Sequence, residues 1–206
     1  MLKGKFLVID SGEGAGKTSQ LNKAKEVFGD RLVITREPGG SPYAEEIRNI
    51  LHNSKNANQA DAKTFFALFW ASRADHLKNI IIPALKNGKI VISDRFDSST
   101  YAYQIVAQGS RDLQDLFWKI RKIYLGDVKP DLYIYFDIDP KIGLSRKNKQ
   151  GVDELHRFEM EKISFHNKIR VGFKEFLEKV PHKIVDASKS IDEVWNDFHE
   201  ILKKYV

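Results

Sequence analysis

Residues 5–20 read KFLVIDSGEGAGKTSQ. KFLVI is a short apolar run of the kind a buried strand carries, and a helical pattern follows Thr18. Between them lies the phosphate-loop pattern GxxxxGK[ST], beginning at Ser11. Gly14 and Gly16 let the backbone turn inward and aim its N–H groups at an oxyanion. The helix that follows adds its N-terminal dipole. Lys17 is placed to reach the β- and γ-phosphates, and the Thr18 hydroxyl to hold Mg²⁺. Ser11 stands where the pattern has its first glycine; a negative φ there makes the exchange cheap, because only positive φ demands glycine. A chance Gly-rich turn would explain the glycines but not strand, Lys-Thr and helix together. The stretch therefore reads as a nucleoside-triphosphate cradle. No NKxD guanine motif occurs, since Asn148-Lys149-Gln150-Gly151 lacks the aspartate.

Outward from this loop, four more apolar runs recur at Leu32–Thr35, Lys89–Ser93, Leu132–Phe136 and Lys183–Val185. Continuous apolar runs without polar alternation are the mark of parallel strands covered on both faces. Helical patterns separate them. One opens at Ser41-Pro42, and a long one spans about Asp61 to Asn87 with a bend expected at Pro83. Others begin near Asp139-Pro140, cover roughly Arg157 to Lys179, and open at Ser190 with a capping box. Alternating strands and helices predict a doubly wound α/β sheet. Lys147–Leu155, KNKQGVDEL, is polar and aperiodic, which predicts a mobile loop.

The chain has 206 residues, 42% hydrophobic and 30% charged, which suits one soluble domain. It has no cysteine, which excludes disulfides and thiolate metal sites. With no signal-peptide pattern and no apolar run long enough for a membrane span, a cytoplasmic protein is expected. The net charge of +6 favours anionic partners without choosing between nucleotides and nucleic acid.

A phosphate loop alone serves switches, motors and kinases, and a second anion site separates them. Arg36 directly follows the second run and Asp94-Arg95 the third. Ligands of open α/β sheets bind beyond the carboxyl ends of the strands. Both arginines are therefore expected on the edge that carries the phosphate loop, where two guanidinium forks hold a monophosphate. Each alone reads equally as a surface ion pair. Asp94 is placed to order water around Mg²⁺, or to hold Lys17 or Arg95. Phe69 and Arg73, four apart on a helix, share a face that suits a flat base. Packing in the core competes for Phe69, given Phe65, Phe66 and Leu68 beside it. Thr100, Tyr103 and Gln104 share another face, for a base edge or a sugar, or for capping and packing.

The phosphate loop, TREPGG, FWASR, DRFDSSTYAYQ, PDLYIYFDIDPKIGLSR and HRFE, in this order, resemble thymidylate kinase over most of the chain. The motifs are moderately specific singly and highly specific as an ordered set. The resemblance implies a nucleoside monophosphate kinase fold, a five-stranded parallel sheet wrapped by helices in one domain over 1–206, with a mobile lid at about 146–157. It implies transfer of the γ-phosphoryl of ATP to dTMP with Mg²⁺, and a homodimer packed through helices. It places Gly12, Gly14, Ala15, Gly16, Lys17, Thr18 and Ser19 on ATP, with the Asp186-Ala187-Ser188 turn on its adenine side, and Thr18 and Asp94 on the metal. It places Arg36 and Arg95 on the dTMP phosphate, Glu13 on the sugar 3′-hydroxyl and Tyr103 beneath the deoxyribose. Phe69 stacks on the base, Arg73 bonds its edge, and Ser99, Thr100 and Gln104 fall in the base-recognition stretch. Asp10 matches another acidic position before the loop.

Some family members carry the catalytic arginine inside the phosphate loop. Here that position is Gly14, so Arg146 or Arg157 of the lid is expected to supply it, with Lys17 and Arg95 beside it and Lys147 and Lys149 in support. Ser11 and His156 depart from the family pattern, and Tyr101 and Phe96 are variable positions beside the base site, which leaves dUMP open as a substrate. Two other readings stay in view. A nucleic-acid-associated ATPase lacks an ordered aromatic–basic platform in this sequence. A nucleotide sensor without catalysis sits poorly with intact Lys17 and Thr18.

Overall fold

The computed structural model describes residues 3–149 and 162–205, with backbone alone at 58, 148 and 149. Five strands, β1 (Lys5–Ser11), β2 (Leu32–Arg36), β3 (Ile90–Asp94), β4 (Leu132–Asp137) and β5 (His182–Asp186), form one parallel sheet in the order β2-β3-β1-β4-β5. Each of the five apolar runs is a strand. The register sets Ile9 beside Asp94 on one side and Ile134 on the other, Arg36 beside Asp94, and Asp137 beside Asp186. The carboxyl ends of all five strands thus lie along one edge, and β1 delivers its loop at the centre of that edge.

The helices are α1 (Lys17–Phe28), α2 (Pro42–Asn53), α3 (Ala62–His76), α4 (Ile82–Lys86), α5 (Asp97–Thr100), α6 (Gln114–Leu125), α7 (Pro140–Lys149), α8 (Ile163–Leu177) and α9 (Ile191–Leu202). Phe6, Val8, Tyr133 and Tyr135 face Phe117, Phe173 and Phe176 on one side of the sheet. Leu7, Ile9, Ile134 and Phe136 face Leu21, Phe28, Val194 and Phe198 on the other. A sheet covered on both faces explains why its strands read as unbroken apolar runs. Ser190 caps α9 with its capping box in place.

The long helix expected over 61–87 is present as α3 and α4, joined by a π-helical turn at Leu77–Ile81 just ahead of Pro83. Proline lacks an N–H and crowds the preceding turn, and a widened turn absorbs both. A second π-helical stretch, Tyr101–Ala107, continues α5. Nothing in the apolar pattern announces α6, because Leu116, Ile123 and Tyr124 stand exposed on it and blur the period set by buried Phe117 and Leu125. The helix expected from about Arg157 begins at Ile163, after an extended Lys162. His156 and Arg157 lie outside the described residues.

Candidate active site

β1 carries the phosphate loop to the centre of the sheet edge. Its apolar signal stops at Ile9, yet the ladder continues through Asp10 and Ser11, both buried. Ser11 has a negative φ, since Arg95 is the only non-glycine at positive φ among the described residues. Gly14 and Gly16 take φ of 67° and 76°, and turn the loop into α1. Gly12, Glu13 and Ala15 complete the turn, and Thr18 and Ser19 stand exposed on the first turn of α1. Lys17 is buried and its ammonium pairs with Asp94 at the end of β3. Of the partners the sequence left open for Asp94, Lys17 is the one it holds. Burial and the nearby Arg95 charge lower the Lys17 pKa, against the pull of Asp94 and Asp10.

Beside the loop lies a cavity of about 160 Å³. Glu13, Arg95, Ser99 and Tyr103 line one part; Phe69, Arg73, Phe96, Thr100 and Gln104 line another. Arg95 sits at φ 68°, a left-handed conformation that costs an L-residue about 1–2 kcal/mol. The backbone over-determines it: its N–H donates to Ile9 at 2.9 Å, and the Ser93 hydroxyl donates to its carbonyl at 2.7 Å. The guanidinium is thereby turned toward Ser99, Tyr103 and Glu13, each at 3.4 Å. Burial opposes the charge on Arg95, but Tyr103, Glu13 and Asp94 outweigh it and hold the proton more firmly than usual. Burial pushes the Tyr103 phenol up to about 12. Asp10 accepts from Ser98 and Ser99, which anchors the start of α5 to β1. Burial raises the Asp10 pKa, and Lys17 and the two hydroxyls offset this only in part.

The other part of the cavity is built around Arg73, only 1% exposed. Its Nε donates to Glu37 at 2.9 Å, with Nη2 of the same ion pair 2.8 Å from that carboxylate, and Nη2 donates to Thr100 at 3.1 Å. The guanidinium lies 4.5 Å from the Trp70 ring centroid and 5.0 Å from that of Phe96. Nη1 is buried without a partner, and so is Oε1 of Gln104. Buried polar atoms are nearly always paired. Two orphans of opposite sense, a donor and an acceptor, on residues of one cavity wall therefore mark a polar ligand edge. Phe69 is half-buried on that wall, whereas Phe65, Phe66 and Trp70 are in the core. Tyr101 lies on the opposite side of its π-helical stretch and packs on Phe117, Trp118 and Phe176, away from the cavity. One residue of register separates it from Thr100 and turns it into the core.

Arg36 does not line the cavity. It is exposed and donates to Glu45 at 3.0 and 3.1 Å. Arg48 of α2 lines the wall instead, with Nη1 on the Pro38 carbonyl at 2.8 Å. Burial, then the Arg36 charge nearby, lowers the Arg48 pKa. Glu37, Pro38, Arg48 and His52 are lining residues that the motif reading did not assign. A signal for Arg48 existed: it lies four after Ala44 and three before Leu51, both buried, so its charge borders an apolar face. The Glu37–Pro38 bond is cis.

Across the loop, α7 brings Arg146 and Lys147. Arg146 donates to the carbonyls of Ala187 and Ser188 at 2.7 and 2.8 Å. The turn is tightened by Asp186, which accepts from the Ser188 amide and hydroxyl at 2.9 and 2.6 Å. Lys147 donates to Glu13 at 3.0 Å. Burial works against the Glu13 carboxylate, but Arg95 and Lys147 outweigh it and bring its pKa below the ordinary value. Gly14 and Gly143 meet backbone to backbone; a Cβ on either would overlap the other segment's main chain. The expected lid residue Arg157 and the Lys149 side chain lie outside the described residues.

A parallel sheet in this order, a phosphate loop at its centre, and a polar-edged cavity beside that loop define a nucleoside monophosphate kinase fold of the phosphate-loop class. The thymidylate kinase family model matches residues 9–198. A thymidylate kinase of Geobacillus sp. (strain WCH70) is 42% identical over 199 residues, 94% of this chain and 93% of its own. That of Leuconostoc citreum (strain KM20) is 40% identical over 210 residues, 97% of this chain and 94% of its own. That of Clostridium novyi (strain NT) is 37% identical over 208 residues, 98% of this chain and its own whole length. The chain belongs to the thymidylate kinase family.

Proposed function

We propose that this chain transfers the γ-phosphoryl group of ATP to dTMP, giving dTDP and ADP, with Mg²⁺. The observation that carries the reading is the pair of buried orphans, the Arg73 N–H and the Gln104 carbonyl, in a cavity whose other wall adjoins the phosphate loop. A thymine edge offers a keto oxygen for the first and an N–H for the second. Phe69 supplies a ring for stacking, and Arg95 with Arg48 supplies charge for the monophosphate. A phosphate oxygen of dTMP attacks the γ-phosphorus in line, and the bond to the bridging oxygen of ADP breaks. No strong base is needed, since a monophosphate is largely dianionic near neutral pH, with its second pKa at about 6. Catalysis is positioning and charge neutralisation. Lys17 exchanges Asp94 for the phosphates, and Arg146 or Arg157 covers the transferring group.

Mg²⁺ keeps several waters and takes few protein oxygens. The exposed Thr18 hydroxyl and the Asp94 carboxylate suit that demand, and among the described residues no cluster of three His, Asp or Glu offers a different cage. When bound, the ion draws charge from the phosphate oxygens. Exposed Leu116, Ile123 and Tyr124 on α6, with Ile50 on α2, support a homodimer packed through helices. Among the described residues no helix is long and apolar enough to cross a membrane, and a cytoplasmic location completes the reading.

The test is ADP release from ATP and Mg²⁺ with dTMP, dUMP, dCMP, UMP, CMP, dGMP, dAMP or AMP. Strong turnover with dTMP, lost in Lys17→Ala, is the expected result. Equal turnover with dUMP keeps the kinase and removes strict thymine reading. No monophosphate-dependent turnover by a protein that binds ATP overturns the proposal and leaves nucleic-acid-stimulated hydrolysis to be tried.

A further inference from the structure

Behind Arg73 lies a second layer that no motif assigns. His76, one turn further along α3, is fully buried. Its Nδ1 lies 3.0 Å from Oε1 of Glu37, and its Nε2 lies 2.7 Å from the Thr35 hydroxyl. The backbone of Gly40 closes over the ring. A carboxylate only accepts, so Nδ1 carries the hydrogen, and a neutral ring then accepts from Thr35 through Nε2. Glu37 uses its other oxygen for Arg73. A continuous chain thus runs from Thr35 on β2 through His76 and Glu37 to the guanidinium, whose orphan nitrogen, Nη1, belongs to the cavity wall.

We infer that His76 is a specificity-determining positioning residue: by fixing the Glu37 carboxylate it fixes the direction of the Arg73 donor, and so the choice of a keto over an amino group on the pyrimidine. Without His76, Glu37 loses the bond on Oε1 and keeps only its pair with Arg73 on Oε2, so the direction of the guanidinium then depends on Thr100 and the Trp70 and Phe96 rings. A fully satisfied buried polar network rigidifies its members, and a partly satisfied one loses that hold. The inference rests on the dTMP reading of the cavity.

The experiment compares steady-state constants for dTMP and dCMP in the parent, His76→Leu and His76→Asn. Leu fills the space and gives up both bonds. Asn places its amide nitrogen near the position of Nδ1 and keeps the bond to Glu37. For His76→Leu, KM for dTMP rises about tenfold and the dTMP:dCMP ratio of kcat/KM falls by about the same factor, with kcat for dTMP and KM for ATP unchanged. His76→Asn returns both to within about threefold of the parent. Loss of melting temperature alone, with the ratio unmoved, overturns the inference, and so does an Asn variant no better than Leu. Should Leu not fold, His76→Gln, which keeps Thr35 and gives up Glu37, must show the same fall in the ratio, and a parental ratio there overturns it. An inactive parent toward dTMP instead removes the functional reading itself, whatever the variants do.

Discussion

Arg73 and Lys17 are both buried cations, and they are held in different ways. Arg73 is fixed by Glu37, Thr100 and two aromatic rings, with one guanidinium nitrogen, Nη1, to spare. Among the described side chains Lys17 rests on Asp94 alone, Arg146 rests on the backbone carbonyls of Ala187, Ser188 and Lys189, and Lys147 on Glu13. In the proposed reading, the base end of the site is finished before a ligand arrives, and the phosphate end is held by partners that phosphate oxygens would replace. Preorganisation serves selectivity, because a fixed donor rejects a base that cannot accept. Exchangeable contacts serve turnover, because one ion pair traded for another costs little and the charge moves with the reacting group.

The largest test of this contrast is Lys17→Ala. It should lower kcat by about 10³-fold in a coupled ADP assay, with dTMP affinity by calorimetry within a few-fold of the parent. A matching loss of dTMP binding would break the contrast. Arg73→Ala should do the opposite and also weaken the fold. It leaves the buried Glu37 carboxylate without its cation, held by His76 alone, so urea denaturation should show a loss of about 3 kcal/mol, together with a raised KM for dTMP. Phe69→Ala removes a stacking surface worth about 1–3 kcal/mol per base. It should cripple dTMP turnover through KM while ATP binding is kept. Gly143→Ala forces α7 off the phosphate loop. Its expected effect is a kcat about tenfold lower with an unchanged KM for dTMP, on the scale of one misplaced electrostatic group.

The smallest effect lies outside both ends, at Asp137, which accepts from Arg170 at 2.6 Å and pairs with Lys174 at 3.0 Å. Burial would raise its pKa, but the two cations outweigh burial and bring it below its ordinary 3.8. A depressed carboxyl stabilises the folded state above the unfolded value, and the contribution is lost as pH falls through the folded one. Both cations are partly exposed, so screening limits it to about 1 kcal/mol. Melting curves of the parent and Asp137→Asn should differ at pH 7 and converge below pH 3.8. A gap that persists in acid would assign the effect to packing.

The strands and the phosphate loop were legible because their signals are local: an apolar run, a glycine spacing, a lysine. The base end was legible only in part. Phe69 and core phenylalanines share one pattern, and what separates them is exposure to a cavity that three separate segments, α2, α3 and α5, form together. Arg36 and Arg48 lie twelve residues apart, and which of them faces the cavity depends on Glu45, which draws Arg36 aside. His76 carries no motif at all. Its partners, Thr35 and Glu37, sit about forty residues earlier, and only the fold brings them to its two ring nitrogens.

The meeting of Gly14 and Gly143 also bears on descent. Position 14 is where some relatives of this family carry an arginine, by the resemblance read from the sequence. Here a side chain at that position needs a strained backbone and a displaced α7 at once. A lineage built this way does not reach the other design by one substitution. It must first move the helix, and in moving it gives up the placement of Arg146 and Lys147. In the proposed reading the two ways of supplying an arginine are separate peaks, and in this chain the phosphate loop and α7 fit main chain against main chain at Gly14 and Gly143.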